Sequence, residues 1–165
     1  MNALPGGKRA LFAAYHIGGC SSCAYSDDES LAELCQRNEI DCDEVMQVLL
    51  ESDRNDREML VSPQQAKALI ESGAALYDIR TREEFDAVKI AGAEFLDQFT
   101  EQSLMAQADR EQTVLICDHR GQHVLDKVAW LRGHDMKNCF GITGGIDAWS
   151  QEVDSKLPRY SLEFE

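Results

Sequence analysis

The sequence predicts an α/β protein: a parallel sheet flanked by helices, preceded by a small all-α N-terminal domain. Three observations predict it. From about residue 60 onward, short apolar runs alternate with helical stretches, the order a parallel sheet with crossover helices requires. Thr113-Val-Leu-Ile-Cys117 is a continuous apolar run, as expected of a strand covered on both faces. Before about residue 52 the spacing of apolar residues is helical.

The elements follow in chain order. Asp28-Glu-Ser30 opens a helix whose Leu31, Leu34 and Cys35 form one face, with acidic residues in its first turn. A second helix begins near Asp43, capped by Asp41 or Asp43, and presents Val45, Met46, Leu49 and Leu50. The charged stretch Glu51-Ser-Asp-Arg-Asn-Asp-Arg-Glu58 lacks a strong core residue and reads as a linker, giving domains 1–52 and 60–165 joined by 53–59. Ser62-Pro63 starts a helix through Ile70, with serine as cap and proline at the first helical position. Ala75-Leu-Tyr-Asp-Ile79 is a strand, Arg82 to Val88 a helical turn, and Gly92 to Leu96 an extended segment. Ser103 to Ala108 is helical, and the buried strand at 113–117 follows. Val124 to Arg132 is a helix with Val124, Val128 and Leu131 on one side. Asn138 to Ile142 is a strand, and Gly144 to Trp149 turns into a last helix.

The chain has 165 residues and a formal net charge of −14, with a pI near 4.6. So acidic a surface repels nucleic acid and anionic lipid, so neither is an expected partner. It attracts no anionic substrate from afar, so any anion site must be local, built from backbone N–H groups or a few basic side chains. No run approaches a membrane span of about 18–20 apolar residues. Lys8 and Arg9 before a short apolar stretch and Cys20 bear a faint likeness to a lipoprotein signal. His16 and Tyr15 within that stretch argue against it. The six cysteines are therefore expected in a reducing cytoplasm, as free or metal-bound thiols.

Chemistry concentrates at Cys117, at the C-terminal end of the apolar strand and followed by a glycine-containing loop and a helix. Ligands bind at this edge of open α/β sheets. The N–H groups opening the next helix favour a thiolate, the outer sulfur of a persulfide or a small oxyanion. The loop Asp118-His-Arg-Gly-Gln-His123 forms the substrate pocket: Asp118, His119, Arg120, Gly121, Gln122 and His123. His119, Arg120 and His123 add positive character. Asp118 opposes a thiolate, so its side chain is expected to point outward.

Four segments together resemble the rhodanese-like sulfurtransferase family. Ala75 to Phe85 is similar to that family's "(L/I)-(I/L)-D-V-R-x-x-x-E-(F/Y)", Lys89-Ile-Ala-Gly-Ala93 to "H-I-x-G-A", and Thr143 to Trp149 to "x-G-G-(I/V)-x-A-W". Cys117 stands between them in the family's order, and the resemblance covers about residues 60–160. It implies a rhodanese-like fold and a ping-pong cycle that requires no cofactor. The cysteine takes sulfane sulfur from thiosulfate or a persulfide donor, holds it as a persulfide and passes it to a thiol or other thiophilic acceptor. The implied partners are a small sulfur donor or persulfide-bearing protein, and a thiol. Three positions depart from the family. Gly121 comes four residues after the cysteine where "Cys-x-x-Gly-x-Arg-Ser" has it three after, so the loop is longer by one residue. Gln122 and His123 stand where an arginine is usual, and Lys89 stands where histidine is common. Thiosulfate is a dianion suited to a bidentate arginine, so these departures favour a persulfide donor. A cysteine-dependent phosphatase is disfavoured, because the residue at its arginine position is His123. The alternative class is a catalytically inactive rhodanese-like binding or regulatory module with a metal- or redox-sensing head.

In the head, Cys20, Cys23 and His16 are candidate ligands for zinc or an iron–sulfur cluster, and Cys20 and Cys23 are alternatively a dithiol partner of Cys117. The segment from Leu11 to Leu50 also resembles a small helical family with a Cys-x-x-Cys motif. Cys35 and Cys139 read as packing residues, and Cys42 is left open between packing and ligation. Trp130 and Trp149 read as core residues, and His134 as surface.

Overall fold

The computed structural model describes residues 6–18, 29–106 and 111–161. The chain divides into two compact units, Met1–Glu58 and Met59–Glu165.

Among the described residues, the first unit holds three helices: α1 (Gly7–Tyr15), α2 (Leu31–Asn38) and α3 (Cys42–Glu58). α2 begins where the sequence places it: the Ser30 side chain accepts from the Glu33 N–H, and Glu33 reaches back to the Ser30 N–H. The carboxylate of Asp41 accepts from the N–H groups of Asp43 and Glu44 and so starts α3. The three helices bury Ala10, Leu11, Ile17, Leu34, Cys35, Val45 and Leu49 together. α1 has no counterpart in the sequence reading. Residues 53–58, read there as part of a linker, are the last turns of α3. No glycine or proline interrupts them, the Arg57 and Asp53 side chains pair one turn apart, and Asp56 is buried in an ion pair with Arg9.

The second unit contains a five-stranded parallel sheet: β1 (Leu60–Val61), β2 (Ala75–Asp78), β3 (Glu94–Phe95), β4 (Val114–Cys117) and β5 (Cys139–Ile142). The strand order is β1-β5-β4-β2-β3. Among the described residues, four helices connect the strands, α4 (Pro63–Glu71), α5 (Arg82–Ala87), α6 (Gln98–Ala106) and α7 (Val124–Gly133), and α8 (Gly145–Glu152) follows β5. Ser62 caps α4 through the N–H of Gln65, with Pro63 at the first position. Side chains of β4 alternate between two cores. Val114 and Ile116 pack with Val124, Val128 and Leu131 of α7, while Leu115 and Cys117 pack with Ala66, Ile142, Ile146 and Trp149. Both faces of β4 are covered, which explains its unbroken apolar sequence.

The topology locates the site. The chain leaves β2 toward β3 on one side of the sheet and leaves β4 toward β5 on the other. The crevice between the C-terminal ends of β2 and β4 is therefore a switch point, where the two loops diverge and leave room for a ligand. In register, Asp78 is the partner of Cys117 across these two ends.

Two smaller readings are settled by the packing. Trp149 is in the core, but Trp130 is 45% exposed. It lies on the outer face of α7, with Lys127 above its ring and the His134 ring tilted against it. No described helix is long and apolar enough to cross a membrane.

Candidate active site at the C-terminal edge of the sheet

Cys117 ends β4 with only 1% of its surface exposed. Its Sγ donates to the carbonyl oxygen of Asp118 at 3.3 Å. Burial pushes this thiol well above its usual pKa, the carboxylates of Asp78 and Asp118 push it further, and Arg80 partly offsets them.

The loop from Asp118 to His123 curls around the strand end. Its backbone is held from below by the start of α8: the N–H of Ile146 donates to the carbonyl of Asp118 and that of Asp147 to the carbonyl of His119. Glycine is required for so close an approach. Gly144 and Gly145 have φ of 70° and 58°, and a Cβ on Gly145 would collide with the carbonyls of Asp118 and His119. Gly121, with φ of 80°, faces the same turn, and a Cβ there would lie 2.7 Å from the Gly144 nitrogen. The sequence motif Thr143-Gly-Gly-Ile is thus a seat for the cysteine loop.

Asp118 does not point outward. Its carboxylate turns into the loop, where one oxygen accepts from the N–H of Gly121 and the other from the N–H of His123 at 2.8 Å. It is 4% exposed. The physical reason is that the Gly121 and His123 N–H groups of the loop need an acceptor, and the Asp118 carboxylate supplies one for each.

Beside the loop, Arg80 and Asp78 form a buried ion pair, with guanidinium nitrogens 2.6–3.1 Å from both carboxylate oxygens. Burial alone would lower the Arg80 pKa, but its bonds to Asp78 and Tyr160 raise it above normal. Arg80 also donates to the Val88 carbonyl and to the Tyr160 hydroxyl, and that hydroxyl donates to Glu84 at 2.7 Å. Burial opposes ionisation of Glu84, yet the hydroxyls of Tyr160 and Thr81 hold its pKa below normal. The Tyr160 ring lies flat on His119, with centroids 4.3 Å apart, and the His119 Nε2 is 3.1 Å from the Tyr160 carbonyl. The segment that ends at Tyr160 thus clamps the loop from outside.

These groups enclose a pocket of about 270 Å³ whose wall includes Arg80, Thr81, Glu84, Asp118, His119 and Arg120. Gln122 and His123 line it too. Of the sequence-predicted loop residues, Asp118, His119, Arg120, Gln122 and His123 therefore gather at one place, whereas Gly121 faces Gly144, and Cys117 is buried at the strand end from which the loop leaves. Sequence reasoning did not name Arg80, Glu84 and Tyr160 as site residues. Arg80 and Glu84 lie within the quoted Asp-Ile-Arg segment, so a signal was present for them, whereas nothing local marks Tyr160.

In the helical unit, His16 is exposed and closes α1 in a left-handed conformation with φ of 57°. Cys20 and Cys23 lie outside the described residues. Cys35 is buried, and its thiol is pushed up to about 11 by burial and by the neighbouring Cys42 thiol. Cys139 is also buried, with its thiol pushed up to about 12 by burial.

Comparison with known proteins agrees with this architecture. The thiosulfate sulfurtransferase GlpE of Pseudomonas entomophila strain L48 is 33% identical over 103 residues, covering 62% of this chain and 94% of that protein. The protein of the same name from Pseudomonas fluorescens strain Pf0-1 is 31% identical over 104 residues, again 62% of this chain and 94% of the relative. Among solved structures, reduced Bacillus anthracis CoADR-RHD superposes with a TM-score of 0.52 at 14% identity, over 68% of this chain and 20% of that one. The family model of the rhodanese-like domain matches residues 62–152, which run from the cap of α4 through α8 and include β4, the cysteine loop and its glycine seat. The chain therefore belongs to the rhodanese-like domain family.

Proposed function

We propose that the protein is a sulfurtransferase that carries sulfane sulfur as a persulfide on Cys117. The observation that carries this reading is the position of Cys117: it ends the central strand at the switch point, and the loop that follows it lines a pocket together with residues 79–84. The named activity of the GlpE relatives supports it.

The cycle has two displacements. In the first, the Cys117 thiolate attacks the outer sulfur of thiosulfate or of a persulfide R–S–SH. A Cys117 S–S bond forms as the donor's S–S bond breaks, and sulfite or RS⁻ leaves with the electron pair. In the second, an acceptor thiolate attacks the outer sulfur of the Cys117 persulfide and releases the Cys117 thiolate. The sulfane sulfur is transferred without an external oxidant or reductant, so no cofactor is required. Loop N–H groups stabilise the charge as it moves outward to the second sulfur. The acidic surface fits a donor and acceptor that are small molecules or thiol proteins of the cytoplasm, not nucleic acid or membrane. Within the chain, Cys20 and Cys23 are candidate acceptor thiols, or with His16 ligands for zinc or an iron–sulfur cluster.

The buried thiol and the inward Asp118 favour a second reading, a non-catalytic docking or regulatory module. One experiment decides between them. The protein is incubated with thiosulfate or with glutathione persulfide, and its intact mass is measured. A gain of one sulfur that is absent in Cys117→Ser is expected. Absence of any adduct with either donor overturns the enzyme reading.

A further inference from the structure

We infer that the Asp118 carboxylate is a resident anion in the cysteine loop and selects the sulfur donor by charge, admitting neutral or singly charged persulfides and opposing dianions such as thiosulfate. This deepens the sulfurtransferase reading and rests on it.

Two independent arrangements lead to the inference. First, the Gly121 and His123 N–H groups, which open the way into α7, both donate to Asp118. An incoming anion must displace that carboxylate before it reaches those donors. Second, the buried cation beside the site is committed. Arg80 holds both oxygens of Asp78 and also bonds Val88 and Tyr160. The charged groups at the sulfur and in the pocket wall are Asp78, Asp118 and Glu84 against Arg80 and Arg120, three negative and two positive. A thiosulfate dianion would add two negative charges to an unbalanced site in low dielectric, which is strongly unfavourable. A protonated persulfide adds none. In that reaction Cys117–SH and R–S–SH yield Cys117–S–SH and R–SH. One S–S bond forms as another breaks, and the Cys117 proton ends on the leaving thiol.

The test is Asp118→Asn, which keeps a side-chain oxygen for one loop N–H and removes the charge. Asp118→Ser, a small acceptor tolerated where helix N–H groups need one, is a second variant. Initial rates of Cys117 sulfur loading from thiosulfate and from cysteine persulfide, which carries a single net negative charge at neutral pH, are compared as a ratio in wild type and both variants. The pH profile of Cys117 alkylation by iodoacetamide is measured in parallel. The thiosulfate-to-persulfide ratio should rise at least about tenfold in both variants, the effect of about 1.4 kcal/mol of charge interaction. The alkylation profile should move to lower pH, because removal of a carboxylate favours the thiolate. A merely structural role for Asp118 would slow both donors alike and leave the ratio fixed. Loading with an unchanged or lower ratio overturns the role of Asp118 and leaves the sulfurtransferase reading standing. Loading by neither donor in any of the three proteins overturns both.

Discussion

At the scale of single residues, the site depends on one buried ion pair. The Asp78 and Arg80 side chains are 1% and 2% exposed, and Arg80 bridges β2, the carbonyl after α5 and Tyr160. Arg80→Ala would leave the Asp78 carboxylate buried without its cation, at a cost of about 3–5 kcal/mol. The measurement is urea unfolding, with a clearly lowered midpoint expected. Arg80→Lys should recover only part of the loss, because an ammonium cannot reproduce the two-pronged contact. A loss below about 1 kcal/mol for the alanine variant would show that water or rearrangement replaces the pair. The sequence displayed Asp78 and Arg80 in a family-like segment, yet their mutual pairing needs the backbone turn after β2. Tyr160 was illegible because it contacts Arg80 across 80 positions. The inward turn of Asp118 is not legible in the sequence because it depends on the loop backbone, whose Gly121 and His123 N–H groups both donate to its carboxylate.

At the scale of elements, the junction of β5 with α8 decides whether the cysteine loop can sit in place. Gly145 combines a left-handed backbone with an approach to the Asp118 and His119 carbonyls that excludes a side chain. Gly73 has φ of 100° but open space around it, so it isolates backbone strain from steric contact. Gly145→Ala should therefore lower the thermal midpoint well beyond Gly73→Ala. The strain in each is about 1–3 kcal/mol, and the collision adds to the first only. Differential scanning calorimetry checks this, and equal shifts would show that the loop yields without cost. The sequence made this junction visible through its paired glycines, and β4 visible through its apolar run. It hid α1 and two further stretches. β1 has two residues, too few for any period to appear. The end of α3 is highly charged, and charge was read as a linker, although Asp53 and Arg57 stand at helical spacing with no breaker between them.

At the scale of the whole molecule, each compact unit supplies its own interior. The two cores of the sheet unit are built entirely from residues 59 onward, and all five strands lie there. The head relies on one small core of about seven buried residues from three helices. A chain of residues 59–165 should thus fold alone, since about 100 residues with a two-sided sheet suffice for an independent domain. Its unfolding should be a single cooperative transition with coincident far-ultraviolet and near-ultraviolet dichroism. The full chain should add a transition of lower stability, because so small a helical core has little apolar burial to set against its chain entropy. The fragment should also keep the Cys117 alkylation rate of the full protein, since the groups that set its thiol, Asp78, Arg80 and Asp118, all lie within it. A fragment that binds hydrophobic dye and lacks near-ultraviolet signal would show that the sheet unit cannot specify its packing unaided. A fragment that folds but alkylates at a different rate would instead show that residues 1–58 act on the cysteine, and the head would then belong to the chemistry of the site.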